Sequence, residues 1–269
     1  AAPPRPMRAG TGAATYSEYT TPTDTRSVEP MGSGSPCIGV DLAAQPRRTS
    51  IARVHWGDRP TVVDLASAAD DDLIVDWCDG AAAIGIDAPF GWPSAFVDLV
   101  SRHHHGLPAN PGDGSESLRL RVTDRIVWET TGKQPLSVST DKIGIVAFRC
   151  VRLLDRLRGP GLDRSGADGV YEVYPGVALA RWGLPSRGYK RGDQAPAVRA
   201  EIVQTLEHHV DFGAWATQVR SSDDDLDAVI SALLAGLAAR GETIRPDPDT
   251  AAAASSEGWI HVPSGPLGG

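Results

Sequence analysis

Apolar residues recur along this chain in two periods, and the switches between them predict an order of elements. Short β-branched runs come first: CIGVDLA from Cys37, then TSIARVHW and TVVDLAS, separated by Pro/Arg and Gly-Asp-Arg-Pro breaks. That is the spacing of three strands joined as hairpins. In ADDDLIVDWCDG, Leu73, Ile74 and Trp77 fall at helical spacing and Gly80 offers a stop. AAAIGIDAPFGWP supplies a fourth apolar strand ended by Pro89, and residues 94–117, rich in Gly, Pro, His and Ser, read as a loop with one short helix. Basic helices are predicted over 120–131 and 141–157, a fifth strand over GVYEVYPG stopped by Pro175, and further helices around 177–182 and 195–210. The clearest helix is SSDDDLDAVISALLAGLAARG, where Ser222 can cap the start, acids fill the first turn and Arg240-Gly241 closes the end. GWIHVP reads as a last strand. Strands with one helix between them, then helices around a further strand, predict an α/β fold with a mixed central sheet flanked by helices.

Residues 1–35 lack this patterning. They hold almost no large aliphatics, so they cannot bury enough surface to offset their ordering entropy, and they read as a flexible tail before a single domain at 36–265. No apolar run approaches the ~18 residues that a membrane helix needs. The three cysteines, Cys37, Cys78 and Cys150, are odd in number and unpatterned, which gives neither a disulfide framework nor a zinc signature. A reducing cytoplasm is the expected compartment, with the cysteines serving as small buried hydrophobes.

Chemistry enters with carboxylates at the ends of apolar strands. Asp41 follows Ile38-Gly39-Val40, Asp87 follows Ile84-Gly85-Ile86, and Glu172 lies inside Val170–Tyr174. An acid in or just past a buried strand is costly unless it is paired or holds a metal, and binding sites in α/β sheets collect at strand ends. On the long C-terminal helix, Asp227 lies in the apolar stripe of Ile230 and Leu234 rather than on the wet side, and Asp224 projects from the same edge. The macrodipole accounts for Asp223 and Asp225. Converging carboxylates call for divalent cations, and oxygen donors favour Mg²⁺ or Mn²⁺. Two such ions about 3.5–4 Å apart drive phosphodiester cleavage.

These residues carry a family resemblance. GVDLA at 39–43, IGIDAPFGWP at 84–93, RVTDR at 121–125, VYEVYPG at 170–176, DDDLDAVISALLAG at 223–236 and GWIHVP at 258–263 resemble, in order, the successive blocks of the domain of unknown function 429 family. That family is one of predicted nucleases with an RNase H-like fold. The resemblance implies metal binding by the first-strand acid, the fourth-strand acid and an acid of the last helix, here Asp41, Asp87 and Asp224 or Asp227. Glu172 matches the family's fifth-strand Glu, and Arg121, Asp124 and Arg125 match its Arg-x-x-Asp-Arg block.

Charge then changes the picture. The formal net charge of −8 over 269 residues argues against a general nucleic-acid coat. It is unevenly spread, however: residues 119–158 hold nine Lys and Arg against four acids, while residues 201–269 hold three against eleven. A basic middle beside an acidic cluster suits an anionic substrate. The expectation is therefore metal-dependent hydrolysis of nucleic acid, DNA or RNA, by a two-metal-ion mechanism. Asp41, Asp87, Asp224 and Asp227 would hold the ions, with Glu172 at the edge; Arg121, Asp124, Arg125, Lys142 and Lys190 would meet the substrate. Arg149, Arg152, Arg156 and Arg158 read as a solvated helix face, His103-His104-His105 as an exposed loop, and Trp92 as packing with the option of stacking on a base. Homodimerisation is compatible with the chain. Two alternatives stand beside this reading: a Mg-dependent phosphotransferase or ATPase of the actin-like or sugar-kinase core, and a non-catalytic nucleic-acid or protein binding module.

Overall fold

The computed structural model describes residues 34–267; the tail read at 1–35 lies, up to residue 33, outside the described residues. Strands β1 (Ser35–Asp41), β2 (Ser50–Trp56) and β3 (Thr61–Ser67) pair antiparallel in sequence order, as their hairpin spacing predicts. Helix α1 (Asp71–Cys78) starts at Asp70, whose carboxylate accepts from the Leu73 N–H. Next comes β4 (Ala83–Asp87), which lies parallel to β1 on the side away from β2.

Residues 94–117 depart from the expected loop. They hold α2 (Ser94–His104), eleven residues long, and α3 (Ser115–Arg119). The sequence signal was weak because α2 buries no residue fully, so its apolar positions follow no clean core stripe. His103 and His104 end α2 and stay exposed. Helices α4 (Val122–Thr131) and α5 (Gly144–Arg158), strand β5 (Val170–Val173), and helices α6 (Pro175–Arg181) and α7 (Ala195–Leu206) follow close to the predicted bounds. The remaining elements are α8 (Ala216–Ser221), α9 (Asp223–Ala239), α10 (Ala251–Glu257) and the two-residue β6 (Ile260–His261). Neither α8 nor α10 is legible as apolar periodicity, since each is under eight residues.

All six strands form one mixed sheet in the order β3-β2-β1-β4-β5-β6, with β1, β4, β5 and β6 parallel. Alternation along the strands divides the interior in two. Ile38, Val40, Ile84 and Ile86 face a core with Ile74, Cys150, Leu153 and Leu154 of α1 and α5. Cys37 and Ala83 belong to the opposite core, built on α9 with Ile202, Val203 and Leu206 of α7. Helix α9 starts as predicted, with the Ser222 hydroxyl accepting from the Asp225 N–H. Among the described residues no helix is long and apolar enough to cross a membrane.

Two glycines set how closely α9 approaches the sheet. Gly39 of β1 and Gly85 of β4 are register partners. A Cβ on Gly39 would sit 2.1 Å from the Ala228 carbonyl oxygen, and one on Gly85 would sit 2.3 Å from that of Ser231. Only hydrogen side chains let the helix backbone lie this near the strands.

Asp225 and Arg149 take roles that the sequence did not suggest. Asp225 is buried rather than merely dipole-facing; it accepts from Ser50 Oγ at 2.5 Å, Ser67 Oγ at 3.0 Å and Gln218 Nε2 at 3.0 Å. It thereby ties β2, β3 and α8 to the start of α9. Arg149 is buried rather than solvated: it pairs with Asp71 at 2.7 Å and donates to Thr49 Oγ1 and to the Ala43 and Ala69 carbonyls. Position in a basic helix hid its inward face.

Candidate metal centre

Asp41 and Asp87 end β1 and β4 and are register partners two residues beyond the glycine pair. Side chains two apart on a strand share a face, so both carboxylates rise on the α9 side. Asp227 stands one residue before Ala228 and four before Ser231, the residues that meet the glycines. The close approach therefore delivers its carboxylate to the same point. One ligand oxygen from each of Asp41, Asp87 and Asp227 lies within 4.8 Å of the others.

Burial makes three charges at this point unfavourable. The Asp41 carboxyl is pushed well above its ordinary range by burial, then by Asp227 and Asp87. Burial raises Asp87 to about 7 and also raises Asp227. Two neighbours partly compensate: the Tyr189 hydroxyl donates to Asp227 Oδ1 at 3.0 Å, and the Lys190 ammonium lies 2.5 Å from Asp227 Oδ2. For Lys190, burial alone would lower the pKa, but Asp227 and its neighbours outweigh it and raise the ammonium above its ordinary value.

Asp41 and Asp87 of the triad line a cleft of about 550 Å³ whose walls include Lys133, Tyr174, Arg187 and Tyr189. Lys133 was not singled out from the sequence. Its ammonium donates to the Gly176 carbonyl at 2.9 Å and lies 5.2 Å from the Tyr174 ring centroid. The available signal was its place directly after Gly132, whose φ of +68° ends α4 and turns the chain into the cleft.

Other predicted site residues stand outside the triad, although Glu172, Arg121 and Lys190 also line the cleft. Asp224 is outside the triad and pairs at the surface with Arg48 Nε at 3.2 Å. Glu172 shares a face with Val170, which belongs to the α5 core, whereas Tyr171 and Val173 belong to the α9 core. It is thus turned away from the triad, and Arg121 grips it at 2.7 and 2.8 Å. Arg121 is buried with all five N–H groups engaged: Asp124 takes two, Glu172 two and the Glu257 carbonyl one. No donor is left for a phosphate, so the Arg121–Asp124–Glu172 group is a buried brace rather than a substrate contact. Glu257 extends it, accepting from the Ser94 and Val122 N–H groups that begin α2 and α4. Arg125 donates to the Leu120 carbonyl, and Lys142 is exposed on the wall of a neighbouring groove.

A model of the family described as protein of unknown function (DUF429) matches residues 39–251. The chain belongs to this family. The match begins at Gly39 and takes in every member of the triad, so the close-packed glycines and the converging acids are DUF429 sequence. Among curated proteins and among solved structures, nothing matches the chain.

Proposed function

We propose that the protein is a Mg²⁺- or Mn²⁺-dependent nuclease with an RNase H-like core, hydrolysing phosphodiester bonds. The observation that carries this reading is the meeting of acids from the first strand, the fourth strand and the last long helix at one point. The three positions are those that the resemblance to predicted nucleases implies. The donor set fits the metal: three carboxylates, with no Cys or His among them, are hard oxygen ligands of the kind Mg²⁺ and Mn²⁺ take.

Asp41, Asp87 and Asp227 would hold the cation. When bound, it supplies an activated water and neutralises charge on the leaving oxygen. The chain's own groups do the rest. Tyr189 fixes the rotamer of Asp227 by donating to it. Lys133 and Arg187 line the cleft with positive charge for phosphate oxygens. Lys190 pairs with Asp227 and would offer its positive charge to an anionic substrate there.

Purified protein incubated with Mg²⁺ or Mn²⁺ is expected to cut DNA or RNA, and Asp87→Asn to abolish cutting. If no nucleic acid is cut, and Asp41→Asn leaves Mn²⁺ affinity unchanged, the reading fails.

A further inference from the structure

Tyr189 and Lys190 stand side by side in the connection between α6 and α7, and both reach Asp227. Tyr189 is buried, with its carbonyl held by Arg199 Nη1 at 2.6 Å. The Lys190 side chain is half exposed, yet it folds back beside the Tyr189 ring, 5.6 Å from Nζ to the centroid, and brings its ammonium onto the buried Asp227. A long aliphatic stem allows this: the charge arrives from the solvent side while the backbone stays pinned at Tyr189.

The three acids of the centre are therefore unequal. Asp227 Oδ1 accepts from the Tyr189 hydroxyl, and Oδ2 faces the Lys190 ammonium, so each oxygen already has a partner. Asp41 and Asp87 accept no hydrogen bond from any described residue, and both line the cleft. No further acid supplies a second set of ligands: among the described residues, none joins the triad within 4.8 Å. Asp224 pairs with Arg48, Asp225 accepts from Ser50, Ser67 and Gln218, and Glu172 is held by Arg121 and the Phe90 N–H. Charge points the same way. Three carboxylates gathered at a buried point call for three compensating positive charges. Lys190 supplies one as a compact point charge, and a single divalent ion supplies the other two. A second divalent ion would overshoot the balance and would meet the ammonium against the same Asp227 oxygen.

We propose that Lys190 is the second cation of this centre: its ammonium keeps its place on Asp227, and the three acids take one divalent ion rather than two. This rests on the metal reading above and fixes the ion count of that same site. Lys190 acts on the ion through Asp227 and is a positioning residue, not a ligand. It keeps Asp227 paired in the ion-free protein, and by like-charge repulsion it weakens the hold on the ion that joins it.

The test is calorimetric Mn²⁺ titration of the full chain without nucleic acid, with free Mn²⁺ counted by its electron paramagnetic resonance signal. Wild type is expected to bind one ion per chain, and Asp87→Asn to lose it. Lys190→Met is expected to bind its first ion about tenfold or more tightly, because a unit charge close to a divalent ion is removed. Lys190→Glu, which reverses the charge, is expected to admit a second ion. Lys190→Arg keeps the charge and should stay at one ion with close to wild-type affinity. Arg48→Met, which frees a cation from an acid outside the triad, should do the same. Two ions in wild type that both vanish in Asp87→Asn, no ion at all, or no tightening in Lys190→Met would each overturn the proposal. So would a single ion in Lys190→Glu, or the Lys190→Met tightening repeated in Lys190→Arg or Arg48→Met. One Lys190-dependent ion in a protein that cuts no nucleic acid keeps the inference and removes the nuclease; cutting with two ions bound at Asp87 does the reverse.

Discussion

Arg121 shows how a side chain of catalytic type can be wholly absorbed by the fold. Removing it leaves Glu172 and Asp124 buried together without a counter-charge, which costs far more than a surface pair. Arg121→Met is expected to destabilise the protein by about 3–5 kcal/mol in urea unfolding; Arg125→Ala, at a half-buried position with one carbonyl contact, should cost well under half of that. Phosphate-affinity loss without destabilisation in Arg121→Met would return it to the substrate contacts. A second residue-scale effect comes from His261, whose ring is buried between Thr243 and the Ser165 carbonyl. Burial lowers its pKa to about 4, against an ordinary 6.5. The unfolded chain thus takes up a proton that the folded chain refuses, and stability present above pH 6.5 is lost as the pH falls toward 4. At 1.36 kcal/mol per unit the loss is about 3 kcal/mol. Urea unfolding at pH 7 and pH 4 should show it in wild type and not in His261→Gln.

At the scale of elements, the decisive contact is α9 against β1 and β4. Gly39→Ala places a methyl on the α9 backbone, so the helix must move. The expected outcome is destabilisation of about 1–3 kcal/mol or more together with weaker Mn²⁺ binding, because Asp227 moves with the helix. Gly112→Ala, where an added Cβ meets nothing within 4 Å, is the control and should change neither. Calorimetric Mn²⁺ titration of both variants checks the pair. Much of this was legible in the sequence: the strand ends Asp41 and Asp87, the Ser222 cap, and Asp227 in the apolar stripe of its helix. Helix α2 was hidden because none of its apolar residues is fully buried, and Val97 and Val100 face solvent. The Arg121 brace was hidden because pairing between residues 121, 172 and 257 depends on tertiary placement, which no local period encodes. Asp225 was hidden for the opposite reason: the macrodipole gave it a sufficient local explanation, and two of its three partners, Ser50 and Ser67, come from distant strands.

For the molecule as a whole, the uneven charge seen in the sequence acquires a location. Part of the C-terminal acidity is the helix edge that supplies Asp227, and part of the basic middle lines the cleft and the groove. A site that binds a cation only in the folded state draws the folding equilibrium toward it. With Mn²⁺ at a hundredfold excess over its Kd, the gain is about 2.7 kcal/mol, or roughly 5–10 °C in Tm for a chain of this size. Thermal scans should show this in wild type and lose it in Asp87→Asn; equal shifts in both would remove Asp87 from the ion.

The parallel register of β1 and β4 matters beyond the site itself. Ile-Gly-Val-Asp and Ile-Gly-Ile-Asp lie side by side, glycine on glycine and acid on acid. A slip of one residue turns a strand's side chains to the opposite faces. In either strand it would set a branched aliphatic where α9 tolerates only hydrogen and drive a carboxylate toward the apolar α5 core. The mispaired chain could neither seat its longest helix nor gather its acids. The same four-residue phrase thus works as a checksum on assembly, and only a correctly read copy can bring its three acids together.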